Sequence, residues 1–259
     1  MTVSEKFNYL NILPLEVICN IINYLPPDDV ANVSKVSKLL LNAARRVIIS
    51  NLKKFPQIGE REWKAVVDLN KCGLSFEGMR SFQLTDAYPF IMKIAANVER
   101  NAGVTIFSVP KGLTTDILTT ISSNPKCGNK TGFFFFSDSS RSVCQKMVKE
   151  PYIMIVSNAL LHGSRGKSPA DQQILLDALK CRKPTVLEIS ALCFLTHISS
   201  NPPVHLYPDK PSSYSRTEDA VNGISLEVGN YSDEGLDVLR TGINVNNIGV
   251  SAVMCLSDL

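Results

Sequence analysis

The stretch LPLEVICNIINYLPPDDVANVSKVSK, which starts at Leu13, most constrains how this chain can fold. Its apolar residues recur every three or four positions and prolines interrupt it, which predicts short amphipathic helices. Helices of roughly ten residues are marginal in isolation and need a packing partner. Two proline-bounded helices and a third cannot bury all of these apolar side chains among themselves. Some of that surface must therefore meet the rest of the chain or another protein.

Prolines and carboxylates mark where the helices of this segment begin and end. Pro14 fits a first helical turn, where proline is tolerated, and Leu25-Pro26-Pro27 ends the first helix. Asp28 and Asp29 favour the start of a second helix, because acidic side chains stabilise the positive end of the helix dipole. Apolar residues then continue at helical spacing into a third helix. We therefore predict that the chain is helical up to about Phe55.

The order of residues in this segment resembles an F-box, in Leu13-Pro14, Glu16-Val17-Ile18, Ile21, Tyr24-Leu25, Asp28-Asp29-Val30 and Val36-Ser37-Lys38. The resemblance runs from Leu13 to Arg46 without a gap. F-boxes are three-helix modules that dock on the adaptor Skp1, which connects them to a cullin–RING (SCF) ubiquitin ligase. The resemblance implies that the Skp1-binding residues are Leu13, Pro14, Val17, Ile18, Ile21, Leu25, Val30 and Val33.

Two positions depart from the usual pattern of the family. The third helix of an F-box often carries Cys and Trp, where this chain has Ser37 and Leu40. Divergent F-boxes vary there, which implies weaker docking rather than its loss. By the residues alone an alternative stays open, in which the helices form a lid over the rest of the chain.

Beyond residue 84 the pattern changes from helices alone to alternating helices and strands. Predicted helices cover residues 86–101, 113–122, 139–149, 170–179 and 186–199. Predicted strands include VTIFSV at Val104, TGFFFFS at Thr131 and YIMIVS at Tyr152, with further strands near Ile224, Leu236 and Ile248. This alternation predicts an α/β domain with a mixed sheet, and an α+β chain overall. The predicted division is an F-box at 1–55, a connecting helical segment at 56–84 and a substrate-recognition domain at 85–259.

Five segments of the second part resemble an uncharacterised domain of proteins from intracellular bacteria. They are PKGLTTDILTTI at Pro110, GSRGKSPADQQ at Gly163, PTVLE at Pro184, SYSRT at Ser213 and NIGVSAV at Asn247. The resemblance covers residues 104–259. No activity is attached to that domain, so it implies no catalytic residues. It does imply a bacterial effector that acts inside a host cell.

The loop GSRGKS has the composition of a phosphate-binding loop but not its spacing. A P-loop needs four residues between its glycines, and Leu161 stands where the first glycine should be. We interpret Ser168 instead as a helix cap, Pro169 as the first helical residue and Asp171 as a first-turn carboxylate. We therefore predict no nucleotide, no other cofactor and no metal ion.

The seven cysteines are scattered, without a C-x-x-C pair, which fits a reducing compartment better than a disulfide framework. Cys144 and Cys193 are the candidates for a nucleophile, which would need a nearby base such as His162, His197 or His205. The apolar surroundings of Cys193 favour a core position instead. The alternative function is an effector enzyme, a hydrolase or transferase, whose F-box serves localisation or stability.

Polar residues in two predicted loop regions are the candidates for a ligand-binding or substrate-binding surface, because loops on an α/β scaffold often carry such residues. They are Arg165, Asp171, Gln172, Tyr214 and Arg216.

Charge and hydropathy exclude two classes of partner. A net charge of +3 and a pI of 8.4 are too mild to predict nucleic-acid binding. No apolar run approaches the roughly 20 residues that span a bilayer. We predict a cytoplasmic adaptor, in the host cytosol if it is a secreted effector. It would bind Skp1, and through it a cullin, and hold an unknown protein substrate near the ligase without performing ubiquitin chemistry itself.

Overall fold

The computed structural model describes residues 13–80, 84–124, 133–135, 142–200, 204–207, 212–232, 235–240 and 246–256. Its contacts divide the chain into two compact units. The first comprises Met1–Pro56 and Ser81–Lys93, and the second comprises Gln57–Arg80 and Ile94–Asp258. The residues predicted to connect two domains therefore pack with the second unit up to Arg80.

The described helices and strands are numbered here in chain order. The helices are α1 (Leu15–Asn23), α2 (Pro27–Val33), α3 (Lys38–Leu52), α4 (Glu60–Val66), α5 (Leu84–Ala95), α6 (Thr115–Ser123), α7 (Pro169–Leu179) and α8 (Val186–Ser199). The strands are β1 (Gln57–Ile58), β2 (Val104–Val109), β3 (Phe133–Phe135), β4 (Tyr152–Ser157), β5 (Tyr214–Val221), β6 (Ile224–Ser232), β7 (Gly235–Leu239), β8 (Ile248–Val250) and β9 (Val253–Cys255).

Three short helices form the start of the first unit, as the prolines and the apolar spacing predicted. Helices α1 and α2 both begin directly after a proline, and the Ser37 hydroxyl caps α3 by accepting the Leu40 amide hydrogen (3.2 Å). Both α1 and α2 pack on α3. The buried residues include Ile18, Ile22, Val30, Ala44 and Ile48. The predicted α+β fold, three helices followed by a mixed-sheet domain, is confirmed.

A fourth helix completes the first unit. The Asn51 side chain at the end of α3 donates a hydrogen bond to the Tyr88 hydroxyl of α5 (2.8 Å). Helix α5 ends at Ala95 rather than continuing to residue 101 as predicted. The chain instead forms a 3₁₀ turn at Glu99–Asn101, where Arg100 has a φ of 59°, which is incompatible with a right-handed helix.

The second unit contains two mixed sheets rather than one. The first sheet has the order β1-β2-β4-β9, with β1 parallel to β2 and the other pairs antiparallel. The second has the order β3-β7-β6-β5-β8, with parallel pairs at both edges. Every residue of β2 is buried, as the continuous apolar run VTIFSV indicated.

Helix α8 lies at the centre of the second unit, as its apolar surface on all sides predicted. It begins with a capping box, in which Thr185 and Glu188 satisfy each other's backbone amides (3.1 and 2.7 Å). Eleven of its residues are buried. It contacts α4, α6, β5 and β6, so the second sheet and two helices pack against it.

Residues 57–66 belong to the core of the second unit. Trp63, the single tryptophan of the chain, is fully buried and donates from its indole nitrogen to the Ser108 carbonyl of β2 (3.0 Å). Its ring stacks near Phe107, with 6.3 Å between centroids. Strand β1 pairs with β2 at the edge of the first sheet. The predicted connecting segment is thus structural for the domain that follows it.

The two sheets join where the chain passes from β8 to β9. Serine hydroxyls accept the amide hydrogens of three consecutive residues there: Val250 donates to Ser164 (3.1 Å), Ser251 to Ser215 (3.0 Å) and Ala252 to Ser157 (2.9 Å). All three acceptor serines are fully buried. This serine junction replaces the strand-to-strand hydrogen bonds that the chain gives up as it changes sheets.

Arg182 and the buried Glu188 form an ion pair at the start of α8. Arg182 donates to both carboxylate oxygens of Glu188 (2.8 and 2.5 Å), and the Tyr152 hydroxyl donates to the same carboxylate (2.6 Å). Burial would raise the pKa of Glu188, but the hydrogen bonds from Arg182, the Thr185 amide and Tyr152 hold it below its usual value. Glu188 therefore stays ionised inside the unit.

The remaining predictions of local structure are met only in part. Residues 145–149, predicted as the end of a helix, are not helical, and the start of that helix lies outside the described residues. Strands β5 and β9 were not predicted. The segment at Thr131 is a strand where it is described, over Phe133–Phe135.

We expect residues 57–80 to be required for folding of the second unit. A chain truncated to residues 57–259 should unfold cooperatively with a blue-shifted Trp63 emission. A chain truncated to 81–259 loses Ile58, Trp63, Val66 and Leu74 from the core and should lack a cooperative transition by circular dichroism. Equal thermal transitions for the two fragments would contradict this assignment.

Removing one partner of the buried ion pair should destabilise the second unit. We expect Arg182→Met to cost about 2–3 kcal/mol of unfolding free energy, because it leaves the Glu188 carboxylate buried without its cation. Adding Glu188→Gln, which can still cap α8, should restore about half of that loss. Urea unfolding followed by Trp63 fluorescence measures both.

Lowering the pH should abolish the difference in stability between the wild-type and Arg182→Met proteins. The folded-state pKa of Glu188 is lowered, so its contribution is present above its unfolded-state pKa and is lost as the pH falls through the folded-state value. The wild-type and Arg182→Met proteins should converge in that range. Arg61→Met is the control, because the Arg61 side chain is 92% exposed in its pair with Glu62, and it should change stability by less than about 0.5 kcal/mol.

Candidate functional site

Helix α1 and its flanking residues carry an uncovered apolar stripe. The stripe consists of Leu13, Val17, Ile21 and Tyr24, with exposed fractions of 37%, 40%, 48% and 89%. Their spacing of three or four residues places them on one side of the helix. The stripe is about 16 Å long at 1.5 Å per residue. Pro14 is exposed at its start.

The opposite side of α1 faces the core of the first unit. Ile18 and Ile22 are buried, and the Cys19 thiol points to the Ala43 carbonyl of α3 (3.8 Å). Because α3 already covers this side, no helix of the module is left to cover the stripe. The segment therefore contains more apolar surface than its three helices bury, as its sequence predicted.

The eight predicted Skp1-binding residues divide between these two sides. Leu13, Pro14, Val17 and Ile21 are exposed, whereas Leu25 and Val33 are half-buried. Ile18 and Val30 are buried with about 1% exposure each, so they hold the helices together rather than present a contact surface. Tyr24 was not named as a binding residue, although its position three residues after Ile21 places it on the stripe.

The loop GSRGKS contributes to the sheet junction, and amides within it already donate hydrogen bonds to carbonyl groups of the chain. The Ser164 hydroxyl accepts the Val250 amide hydrogen, and the Gly166 amide donates to the Ile248 carbonyl (3.0 Å). A phosphate cradle needs such amides to point at the ligand. Ser168 caps α7 by accepting the Asp171 amide hydrogen (3.1 Å) and Pro169 is its first residue, as predicted.

Three residues predicted on a ligand surface are buried in the second unit. Arg216 donates to the Gln172 side chain (3.0 Å) and to the Lys167 carbonyl (2.9 Å), and it lies 3.4 Å from Glu227. Gln172 also donates to the Ser164 carbonyl (2.9 Å). The Tyr214 hydroxyl donates to Asp237 (3.3 Å), and burial raises its pKa to about 12. These side chains attach α7 and its loop to the second sheet, which leaves them inaccessible to a ligand.

The other two residues of that predicted surface are closer to solvent. Arg165 forms a two-bond ion pair with Glu99 (2.8 and 2.9 Å) and also donates to Ser213 (3.1 Å). Its side chain keeps 28% exposure. Asp171 is exposed and accepts a hydrogen bond from the Ser168 hydroxyl (2.7 Å). Only these two could belong to an accessible polar surface.

The candidate nucleophiles lie in environments that disfavour a thiolate. Burial raises the pKa of the Cys144 thiol to about 12 and also raises that of the Cys193 thiol. An activated cysteine needs a lowered pKa and solvent access. His197 lies on α8, and its ring stacks on that of His205 with 5.0 Å between centroids. His162 directly precedes the loop GSRGKS and is exposed.

The described residues show neither a metal-binding cluster nor a membrane-spanning helix. Among them no group of three or more metal-ligating side chains comes together. None of the helices described is both long enough and apolar enough to cross a membrane.

Comparison with protein families identifies the first unit. Residues 10–51 match the F-box domain, a range that contains the apolar stripe and all of α1 and α2. The match supports an adaptor role through Skp1 in an SCF-type ubiquitin ligase. Neither the comparison with curated proteins nor that with solved structures gave a match. The chain thus carries an F-box domain at residues 10–51, followed by a mixed-sheet domain.

Proposed function

We propose that the protein is an F-box adaptor whose α1 stripe docks on Skp1 and whose second unit recruits a target protein. The observation that carries this proposal is the uncovered row of Leu13, Val17, Ile21 and Tyr24 within the F-box match. A helix whose apolar side lacks a partner in its own chain is suited to helix-in-groove binding.

The stripe offers enough apolar surface for specific docking. Fully burying one branched aliphatic side chain contributes about 1.5–3 kcal/mol, and the aliphatic residues of the stripe are between 37% and 48% exposed. Each could add roughly half of that range on binding. Association costs subtract from the sum, so the aromatic ring of Tyr24 and polar contacts at the rim would contribute to specificity.

The adaptor would act by proximity rather than by chemistry of its own. Through Skp1 it would attach to a cullin, and the target held by the second unit would lie near the ligase. Such a role needs two binding surfaces on separately packed units, and the contacts of this chain form two units.

We place this activity in the cytosol, and in the host cytosol if the protein is a secreted bacterial effector. None of the six cysteines within the described residues forms a disulfide with another of them, which suits a reducing compartment. The resemblance of residues 104–259 to a domain of intracellular bacteria motivates the effector role. A hydrolase or transferase activity of the second unit is the alternative, and no described thiol favours it.

Substitutions on the stripe should abolish docking without unfolding the module. We expect Val17→Ala/Ile21→Ala to weaken Skp1 binding at least about tenfold, because a few central apolar residues usually carry most of the binding energy. Its unfolding temperature should stay close to that of the wild type, since both side chains are exposed. Surface plasmon resonance on immobilised Skp1 measures the first effect and calorimetry the second.

Two variants serve as controls for this experiment. Ile174→Ala removes an equally apolar side chain, 66% exposed on α7 of the second unit, and should leave Skp1 affinity unchanged. Ile18→Ala truncates the buried side of α1 and should cost about 2–4 kcal/mol of stability. Wild-type affinity of the Val17→Ala/Ile21→Ala protein for Skp1 would refute the assigned docking surface.

A further inference from the structure

A cavity of about 720 Å³ lies in the second unit beside α4. Glu60 and Lys64 line it from the helix, and residues 67–70 and 74–77 form the rest of its wall. The volume falls within the roughly 300–1,000 Å³ typical of ligand sites. None of the residues that the sequence singled out for function lines this cavity.

Four apolar residues contribute to the wall of the cavity, beside the six polar residues that line the rest of it. Val67, Leu69 and Leu74 line it and are buried, and Phe76 is half-buried against the same core. The antiparallel bridge between Ser75 and Lys111 holds this segment to the following part of the unit (3.1 and 2.9 Å). The wall is thus an anchored surface, on which an aliphatic chain could lie.

The rim of the cavity is acidic. Three carboxylates line it, from Glu60, Asp68 and Glu77, against the single ammonium group of Lys64. Lys64 pairs with Glu60 (2.7 Å) and Lys71, outside the lining, pairs with Asp68 (3.7 Å). Glu77 is exposed and forms no ion pair among the described residues. One carboxylate therefore remains without an ion-pair partner at the mouth of the cavity.

We propose that this cavity binds an arginine or lysine side chain of an extended basic peptide segment in the protein that the adaptor recruits. The inference deepens the proposed function and rests on its target-binding role. Arginine and lysine combine a long methylene stem with a terminal cation. The stem would pack on the Leu69, Leu74 and Phe76 wall, and the cation would pair with Glu77 and Glu60. A guanidinium group can bind a carboxylate through two hydrogen bonds.

The charge of the whole chain does not favour a basic ligand. The protein carries a net charge of +3, so its long-range field favours acidic ligands over basic ones. A basic peptide that binds must therefore find a locally acidic surface. Binding of a basic peptide would therefore indicate a local acidic site rather than nonspecific attraction to the whole chain.

A fluorescent peptide of four Arg-Ala repeats, titrated into the full-length protein at low salt, tests the proposal. We expect saturable binding by anisotropy, weakening as the salt concentration rises. Glu60→Gln/Glu77→Gln should reduce the affinity about fivefold, as expected for two partly exposed ion pairs. Lys64→Gln should increase it about twofold, because it removes a competing cation. A residue with a merely structural role would not produce that gain.

Matched controls keep the result specific to the cavity. Asp177→Asn neutralises an exposed carboxylate on α7, outside the cavity, and should leave the affinity unchanged. A peptide of four Glu-Ala repeats should not bind. The proposal is overturned if the Arg-Ala peptide does not bind, if the Glu-Ala peptide binds as well, or if Glu60→Gln/Glu77→Gln has no effect.

Skp1 binding measured on the same preparations separates this inference from the proposed function. Variants of the cavity should retain wild-type Skp1 affinity, and Val17→Ala/Ile21→Ala should retain wild-type peptide affinity. Missing peptide binding with intact Skp1 binding overturns the cavity assignment alone. Missing Skp1 binding with intact peptide binding overturns the adaptor function and leaves the chemistry of the cavity standing.

Discussion

Three backbone amides in a row, at Val250, Ser251 and Ala252, must be satisfied away from water for the second unit to exist. The chain leaves one sheet and enters the other at this point, so neither sheet can supply all of their partners. An unpaired buried amide costs a few kcal/mol, and three would rival the stability of a typical domain. Serines from three separate parts of the chain accept these hydrogens, which ties both sheets and the glycine-containing loop to one place.

The first unit is subject to a different constraint. It has too few helices to cover all of its apolar side chains. Helix α1 is nine residues long, and its apolar residues cover more of its surface than α3 can bury. The side with Ile18 and Ile22 is buried and stabilises the module, whereas the side with Val17 and Ile21 stays exposed. A short helix with two apolar sides therefore provides both a core and an uncovered apolar surface.

The parts of the fold that could be predicted are those that local physics determines. Prolines set the starts of α1 and α2, and the capping pair of Thr185 and Glu188 sets that of α8. The strand β5 could not be predicted, because YSRTEDAV is polar, and its buried arginine and serine depend on partners distant in the chain. The same cause misled the assignment of a ligand surface. Gln172, Tyr214 and Arg216 have the residue types of a binding site, but their partners are internal. The sequence prediction named Leu13, Val17 and Ile21 of the stripe, but it also included the buried Ile18 and omitted Tyr24.

The serine junction also bears on the order in which the two units can be completed during synthesis. Its hydrogen bonds join residues 36 to 95 positions apart in sequence, and such long-range contacts form slowly. The first sheet needs β9 and the second needs β8, which come last among the described strands. The described residues of the first unit end at Lys93. On the ribosome the F-box can therefore fold while the second unit is still incomplete, so the apolar stripe of α1 is presented before the two mixed sheets have formed.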